Sequence, residues 1–308
     1  MTSPTSVVFA YHNVGVRCLR VLLDQGVHVP LVLTHEDSPT ENIWYDSVAQ
    51  VCADNGIEAI TVDDANHPGI VARIRALAPD FLFSFYYRLM LKRDMLLTAS
   101  RGAYNMHGSL LPKYRGRVPV NWAIIHGETE TGATLHYMTE KPDNGDIVAQ
   151  QRVPILPDDT AQEVFDKVTV AAELALYDVL PALIAGTAPR IAQDLSLGRY
   201  LGGRKPEDGR IDWTRSARDV HNLVRAVAPP YPGAFSDTSL GRLVINRTRV
   251  IEESASHGSA RPQLAAIDSR LCVDCGRGTL LILDATLNGE GSVASIVSRL
   301  GASRVPLH

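Results

Sequence analysis

The segment Ser6-Val7-Val8-Phe9-Ala10 combines apolar and β-branched residues, which predicts a short buried strand near the start of the chain. Apolar residues with helical spacing follow it over Val14–Leu23, and Val27–Thr34 predicts a second strand. The alternation continues with predicted helices at Asn42–Asn55 and Pro68–Leu77 and predicted strands at Ile57–Val62, Asp80–Ser84 and Gly102–His107. Because mostly apolar strands alternate with helices, the pattern predicts an α/β, Rossmann-like fold with a mostly parallel, doubly wound sheet.

The second half of the chain changes character after one more helical region. Strands are predicted at Thr131–Met138 and Asp146–Pro154, and capping-box spacing from Thr160 to Glu163 then opens a helix. That helix has one apolar face, formed by Val164, Val168, Ala171, Ala175 and Val179. A short helix over Ala217–Val227 precedes several brief β-rich runs that are separated by glycine, which predicts a small barrel. These runs are Leu243–Asn246, Gln263–Asp268, Leu271–Val273 and Thr279–Leu283.

The chain of 308 residues is too long for one small core and favours two domains. We predict a catalytic domain over residues 1–189, a linker over 190–209 and a second domain over 210–308. The net charge is -4, and residues 201–308 hold 14 basic and 11 acidic side chains, which leaves -7 for the remainder. A charge balance this mild argues against nucleic-acid and membrane-surface partners.

The termini and cysteines favour a cytoplasmic location. Residues 1–6 lack the basic and then apolar segments of a secretory signal, and no apolar run approaches the ~20 residues of a membrane span. Cys272 and Cys275 form one C-x-x-C without a second ligand pair nearby, so we expect a coincidence in a strand and turn rather than a zinc site. Cys18 and Cys52 lie in apolar helical patterns and are expected in the core. We expect no metal.

Polar residues whose side chains could take part in catalysis follow the predicted strands. Asn105 and His107 leave the end of one strand two residues apart, so their side chains point to the same side. The loop after them carries Lys113, Arg115 and Arg117, and a later turn between two strands carries Asp143. The first strand is followed by a single glycine, without G-x-G-x-x-G or a Walker A motif, which argues against nicotinamide and nucleoside-triphosphate cofactors.

An amide, an imidazole and a carboxylate suit acyl transfer to an amine. His107 would accept the proton of the attacking amine, Asn105 would stabilise the oxyanion, and Asp143 would orient His107. Each residue also has a structural alternative: a core histidine, a strand-terminating asparagine and an Asx-turn aspartate. The three cations also suit a solvated loop. Composition and spacing alone leave these alternatives open.

A wider set of motifs resembles the N10-formyltetrahydrofolate-dependent formyltransferase family. The segment N-x-H-G-S-L-L-P-K-Y-R-G over Asn105–Gly116 and the later Gly145-Asp146-Ile147-Val148 carry most of the likeness. Further similar stretches are Val7–His12, Ser84–Arg88, Asn121-Trp122, Gly127–Gly132, Thr134–His136, Val224–Val227 and Pro232–Phe235. The sequence looks most similar to the formyltransferase domain of the bifunctional polymyxin-resistance protein, which formylates UDP-4-amino-4-deoxy-L-arabinose.

This resemblance implies a fold, a reaction and a set of site residues. It implies a Rossmann-like catalytic domain with an OB-like C-terminal domain, N10-formyltetrahydrofolate as co-substrate and a sugar nucleotide as the small-molecule partner. By position, Asn105, His107 and Asp143 match the catalytic trio of the family. The residues that match the folate pocket are Leu89, Met90, Leu91, Arg117, Thr139, Glu140, Lys141, Pro142 and Asp143.

The resemblance leaves the acceptor open. Gly108 stands where purine-pathway relatives usually have proline and the tRNA enzyme usually has alanine, and His136 follows Thr134-Leu135 as in the arabinose enzyme. Both features favour a sugar substrate, and the first hypothesis is the 4-amine of UDP-4-amino-4-deoxy-L-arabinose. The alternatives are a dTDP-4-amino sugar, methionyl-tRNA, water in a hydrolase, or a non-catalytic folate-binding regulator. The bifunctional relative also has a decarboxylase domain, so we expect a separate protein to supply that step, or a different amino-sugar pathway.

Overall fold

The computed structural model describes residues 3–37, 43–253 and 262–307. They form two compact units that interleave along the chain. The first comprises the described residues within 1–119, 130–154 and 165–202, and the second comprises those within 120–129, 155–164 and 203–308. The predicted boundaries at residues 189 and 210 stay a prediction.

A mostly parallel sheet organises the first unit. Its strands, in chain order, are β1 (Thr5–Ala10), β2 (His28–Thr34), β3 (Glu58–Thr61), β4 (Phe81–Phe85), β5 (Ala103–His107), β6 (Arg115–Gly116), β7 (Glu130–Tyr137), β8 (Ile147–Pro154) and β9 (Tyr200–Leu201). Seven of them form one sheet in the order β3-β2-β1-β4-β5-β7-β8, and β6 pairs with β9. Neighbours from β3 to β5 are parallel, whereas β7 runs antiparallel to β5 and to β8. The predicted α/β, Rossmann-like architecture is confirmed.

Helices follow the strands of this unit in the predicted alternation. They are α1 (His12–Asp24), α2 (Val48–Asp54), α3 (Pro68–Ala76) and the short α4 (Arg93–Leu96), which the sequence pattern did not predict. The helix α2 is shorter than the predicted Asn42–Asn55, because the Ser47 side chain accepts a hydrogen bond from the Gln50 N–H and caps it. Asn42 itself lies outside the described residues.

The next two helices differ in length and in how well the sequence predicted them. They are α5 (Pro119–Ile125), which was not predicted, and α6 (Ala161–Ala185), which was. Thr160 and Glu163 form the predicted capping box, with the Glu163 N–H 3.3 Å from Thr160 Oγ1 and the Thr160 N–H 2.7 Å from Glu163 Oε2. All five residues of the predicted apolar face of α6 are buried. By length and composition α6 could cross a membrane. Half of its most apolar 18-residue stretch is buried, however, as in the core helix of a domain.

An antiparallel sheet with two helices forms most of the second unit. Its strands are β10 (Ala234–Thr238), β11 (Gly241–Glu252), β12 (Gln263–Ile267), β13 (Arg270–Asp274), β14 (Thr279–Leu287) and β15 (Arg304–Pro306), in the order β10-β11-β14-β13-β12-β15. The helices α7 (Ala217–Val227) and α8 (Val293–Leu300) belong to this unit, as does most of α5. A core that includes Trp213, Val224 and Leu271 lies within this unit. The small β-rich second domain is confirmed, although β10, β15 and α8 were not predicted.

Two predicted segments differ from the structure. The strand predicted at Leu243–Asn246 continues to Glu252 as β11, which pairs with β14 through several bulges. The predicted linker over residues 190–209 contains β9, because Tyr200 and Leu201 pair with Arg115 and Gly116 in β6. A partner 85 residues away in sequence leaves no local pattern from which to predict either β6 or β9.

The cysteines are buried free thiols. Cys272 lies in β13 and Cys275 follows that strand, and burial raises the pKa of the Cys275 thiol to about 12. Within residues 3–37, 43–253 and 262–307, no group of three or more His, Cys, Asp and Glu side chains has the arrangement of a metal site.

Candidate active site

The strand β5 brings Asn105 and His107 to one face at its carboxyl end. Their side chains are two residues apart in an extended strand and therefore point the same way. The sheet continues on both sides of β5, with β4 parallel to it and β7 antiparallel. His107 is 6% exposed, so protein groups surround almost all of its side chain. The two residues paired by sequence spacing are thus neighbours in the fold.

Both ring nitrogens of His107 face oxygen atoms. Its Nε2 lies 2.8 Å from the Tyr114 carbonyl oxygen, so Nε2 carries a hydrogen that it donates to this carbonyl. Its Nδ1 lies 3.5 Å from Asp143 Oδ1. In the neutral ring the lone pair is therefore on Nδ1, next to the carboxylate.

Asp143 belongs to the loop between β7 and β8, where its backbone adopts a left-handed φ of 55°. The Gly116 N–H donates a 2.8 Å hydrogen bond to Asp143 Oδ2, and Gln193 Nε2 donates to the Asp143 carbonyl oxygen at 3.1 Å. Burial opposes ionisation of this carboxyl. The nearby His107 and His136, which are cations when protonated, and the Gly116 N–H outweigh burial and hold the Asp143 pKa well below its usual range. Asp143 is therefore an anion at neutral pH.

His136 lies opposite Asn105 in the antiparallel pair of β5 and β7. Cross-strand partners share a face of the sheet. The Asn105 Nδ2 atom is 3.1 Å from His136 Nε2, and that nitrogen is 3.6 Å from Asp143 Oδ1. The predicted trio is therefore joined by a fourth side chain, to which the sequence analysis gave no role in the chemistry. The register of β5 against β7, which places His136 opposite Asn105, identifies this fourth residue.

Hydrogen bonds to other parts of the chain hold the loop after β5 in place. The Ser109 hydroxyl donates to the Lys113 carbonyl at 2.7 Å. The Arg115 guanidinium donates to Asn144 Oδ1 at 2.8 Å and to the Leu195 and Gly198 carbonyls at 3.2 Å. The alternative of a solvated cationic face is wrong for Arg115, whose guanidinium joins three chain segments. Lys113 and Arg117 are exposed.

A steric constraint explains why glycine follows His107. A Cβ atom at Gly108 would lie 2.0 Å from the Tyr86 hydroxyl oxygen, far inside contact distance. Tyr86 follows the end of β4 with a left-handed φ of 58°. The Tyr86 phenol thus fills the space that a side chain at position 108 would need, beside His107.

The two segments expected to line the folate pocket border one another. Leu91 is buried in a core cluster against which Leu89 and Met138 also pack. The Glu140 carboxylate, in the second segment, is 3.6 Å from Arg93 Nη1, just beyond the first. In the same second segment Thr139 Oγ1 donates to the Lys141 carbonyl at 2.8 Å, and Lys141 and Pro142 complete the approach to Asp143. Met90 is 53% exposed, and Arg117 is exposed next to Gly116, whose N–H binds Asp143.

Comparison with protein families agrees with this arrangement. The formyl transferase family matches residues 18–180, and the formyl transferase C-terminal domain matches residues 204–295. This chain belongs to the formyl transferase family. The first match contains Asn105, His107, His136 and Asp143, so this formyltransferase carries its candidate site within the domain that names the family.

Solved structures share the fold of this formyltransferase. An N-formyltransferase from Helicobacter canadensis, in complex with folinic acid and dTDP-3-aminofucose, is 19% identical with a TM-score of 0.67, covering 91% of this chain and 99% of its own. WlaRD, a sugar 3N-formyltransferase solved with dTDP and 5-N-formyltetrahydrofolate, is 17% identical with a TM-score of 0.69, covering 94% and 100%. A 4-N formyltransferase from Francisella tularensis is 21% identical with a TM-score of 0.62, covering 75% and 91%. At these identities the likeness establishes the fold.

Proposed function

We propose that this formyltransferase moves a formyl group from N10-formyltetrahydrofolate to the 4-amine of a nucleotide-linked amino sugar. The observation that carries this proposal is the grouping of an amide, an imidazole and an ionised carboxylate at the end of β5, with His107 Nδ1 3.5 Å from Asp143 Oδ1. Residues 1–189 would act as the catalytic domain and residues 210–308 as the second domain. The folate-bearing structures that share the fold support the proposed co-substrate.

The chemistry of direct transfer assigns one task to each side chain. The amine nitrogen attacks the formyl carbon, and the carbonyl oxygen becomes an oxyanion that the Asn105 amide N–H stabilises. Because Nε2 of His107 donates to Tyr114, Nδ1 is the atom that accepts the amine proton. The imidazolium then faces anionic Asp143. Collapse of the intermediate breaks the bond between N10 and the formyl carbon, and N10 takes up the proton that His107 accepted, which returns the imidazole to its neutral form.

The co-substrate would lie against the two segments around Leu89–Leu91 and Thr139–Asp143. The exposed Met90 and the buried Leu91 offer apolar contact to a flat ring, and loop backbone groups around Thr139 offer hydrogen bonds. Arg117, exposed one residue beyond Gly116, would meet the negative charge of the folate tail. A ligand held here would present its formyl group toward His107.

For the acceptor, we propose UDP-4-amino-4-deoxy-L-arabinose, which would place the enzyme in lipid A modification and polymyxin resistance. Gly108, with the Tyr86 hydroxyl in the space of its missing side chain, and His136 support the likeness to the arabinose enzyme. The nearly balanced charge of residues 201–308 argues against tRNA as the acceptor. A dTDP-linked amino sugar is the second candidate, because two structures of the same fold hold dTDP or a dTDP sugar.

We also propose a cytoplasmic location. All four cysteines are buried free thiols, which suits a reducing compartment. The proposed co-substrate and acceptor are soluble small molecules, so the reaction requires neither a membrane nor a nucleic acid.

The test is formyl transfer from N10-formyltetrahydrofolate to a panel of UDP- and dTDP-linked amino sugars, with methionyl-tRNA included. The proposal expects transfer to a sugar nucleotide, with the UDP-arabinose derivative preferred, and a loss of ~10²–10⁴-fold in His107→Ala. His28→Ala, at an exposed histidine at the start of β2, is the matched control and should keep the full rate. Transfer to tRNA alone, or near-full activity of His107→Ala, would refute the assignment.

A further inference from the structure

The imidazole of His136 is buried, with its side chain 2% exposed, and both of its nitrogens face fixed groups. Its Nδ1 lies 2.8 Å from the Tyr137 carbonyl oxygen. A carbonyl oxygen only accepts hydrogen bonds, so Nδ1 must carry a hydrogen. Turning the ring over would place a carbon there and forfeit this bond. The carbonyl therefore fixes the ring orientation and the Nδ1–H form.

This form leaves Nε2 of a neutral His136 as a bare acceptor. Asn105 Nδ2 lies 3.1 Å away and supplies the hydrogen. With the Asn105 amide turned over, Oδ1 would face the Nε2 lone pair, two acceptors without a hydrogen between them. His136 thus determines that Nδ2, and not Oδ1, of the Asn105 amide faces the His136 ring. Because Nδ2 carries two hydrogens, the second stays available for a ligand.

The Asp143 carboxylate lies near both imidazoles. Asp143 Oδ1 lies 3.5 Å from His107 Nδ1 and 3.6 Å from His136 Nε2, and Oδ2 already accepts the Gly116 N–H. The distance to His136 is too long for a hydrogen bond. Asp143 therefore does not compete with Asn105 for a hydrogen bond to His136 Nε2.

We propose that His136 is a positioning residue that holds Asn105 with its amide N–H directed at the formyl oxygen. This inference rests on the proposed function, because it assigns the oxyanion contact to Asn105. The geometry behind it is a cross-strand pair, Asn105 opposite His136, braced by the Tyr137 carbonyl. Loss of the acceptor would free the amide to rotate, and the oxyanion donor would lose its orientation.

Steady-state kinetics of four variants, with co-substrate saturating and acceptor concentration varied, test the inference. His136→Leu removes the acceptor and should lower kcat by ~10–10²-fold with little change in KM, since an ill-placed donor acts mainly on the transition state. His136→Gln places an amide oxygen near the position of Nε2 and should recover most of that loss. In an Asn105→Ala background, His136→Leu should cost less than about threefold more, because its effect passes through Asn105. A His136→Leu rate within about threefold of the parent, or fully additive losses, would overturn the proposal.

A spectroscopic measurement on the unmodified enzyme separates this inference from the proposed function. Long-range 1H–15N correlation spectra of the full chain should report a protonated Nδ1 and a bare Nε2 for His136 near pH 7.5, with His136→Gln identifying the signals. An Nε2–H form of neutral His136 would overturn the inference, even in an active enzyme. Absence of transfer to every acceptor would refute the proposed function, and the spectrum would still decide the orientation of Asn105.

Discussion

Replacing Asp143 by asparagine removes a charge while keeping nearly the same shape. At 3.5 Å between Oδ1 and His107 Nδ1, Coulomb's law with an effective dielectric constant of about 20 gives about 5 kcal/mol of attraction to an imidazolium. The asparagine oxygen keeps part of this attraction as a dipole, so we expect a loss near half, about 2.4 kcal/mol. At about 1.36 kcal/mol per tenfold change in rate, kcat should fall ~10²-fold.

The assay is the initial rate of formyl transfer as a function of acceptor concentration, at saturating co-substrate, for the parent, Asp143→Asn and Asp24→Asn. Asp24 is exposed at the end of α1 and serves as the matched control. KM should change little, because the imidazolium forms only as the amine attacks. If Asp143→Asn keeps kcat within about threefold of the parent, charge stabilisation of His107 is not the role of Asp143.

The same substitution has a predictable effect on stability against pH. The folded-state pKa of Asp143 is depressed, so its ionised form stabilises the fold above the unfolded pKa of about 3.9, and that contribution fades as pH falls through the folded value. The thermal midpoint of Asp143→Asn should therefore lie furthest below that of the parent at pH 6–7 and approach it below about pH 4. A gap that widens with acidification would contradict this sign.

Two further substitutions test the packing around the site and the fold. Gly108→Ala should lower kcat by at least tenfold, since its Cβ would lie 2.0 Å from the Tyr86 hydroxyl oxygen. Adding Tyr86→Phe should restore part of the rate. Equal rates for Gly108→Ala and the parent would show that the Tyr86 phenol moves aside at no energetic cost. Thr160→Ala removes the N-cap side chain of α6 and should lower the free energy of unfolding, measured by chemical denaturation, by about 1 kcal/mol without changing KM. An unchanged denaturation midpoint would mean that Glu163 alone caps the helix.

Local patterns were sufficient for the elements whose residues alternate clearly. The strands β1 to β5 and helix α7 follow their predicted segments closely, because apolar periodicity and breakers act within a few residues. The pattern failed for β6 and β9, which are two residues each and exist only through their mutual pairing. It also missed α8, although Ser292 caps that helix with a side-chain hydrogen bond to the Ser295 N–H.

The site divides along the same line. The sequence by itself determined that Asn105 and His107 leave one strand on one side, since the two-residue period of a strand is local geometry. Only the tertiary structure decided that His136 stands opposite Asn105, that Gly116 holds Asp143, and that Tyr86 fills the space beside Gly108. These contacts depend on strand register and loop closure between residues 22 to 31 positions apart, which no local periodicity specifies.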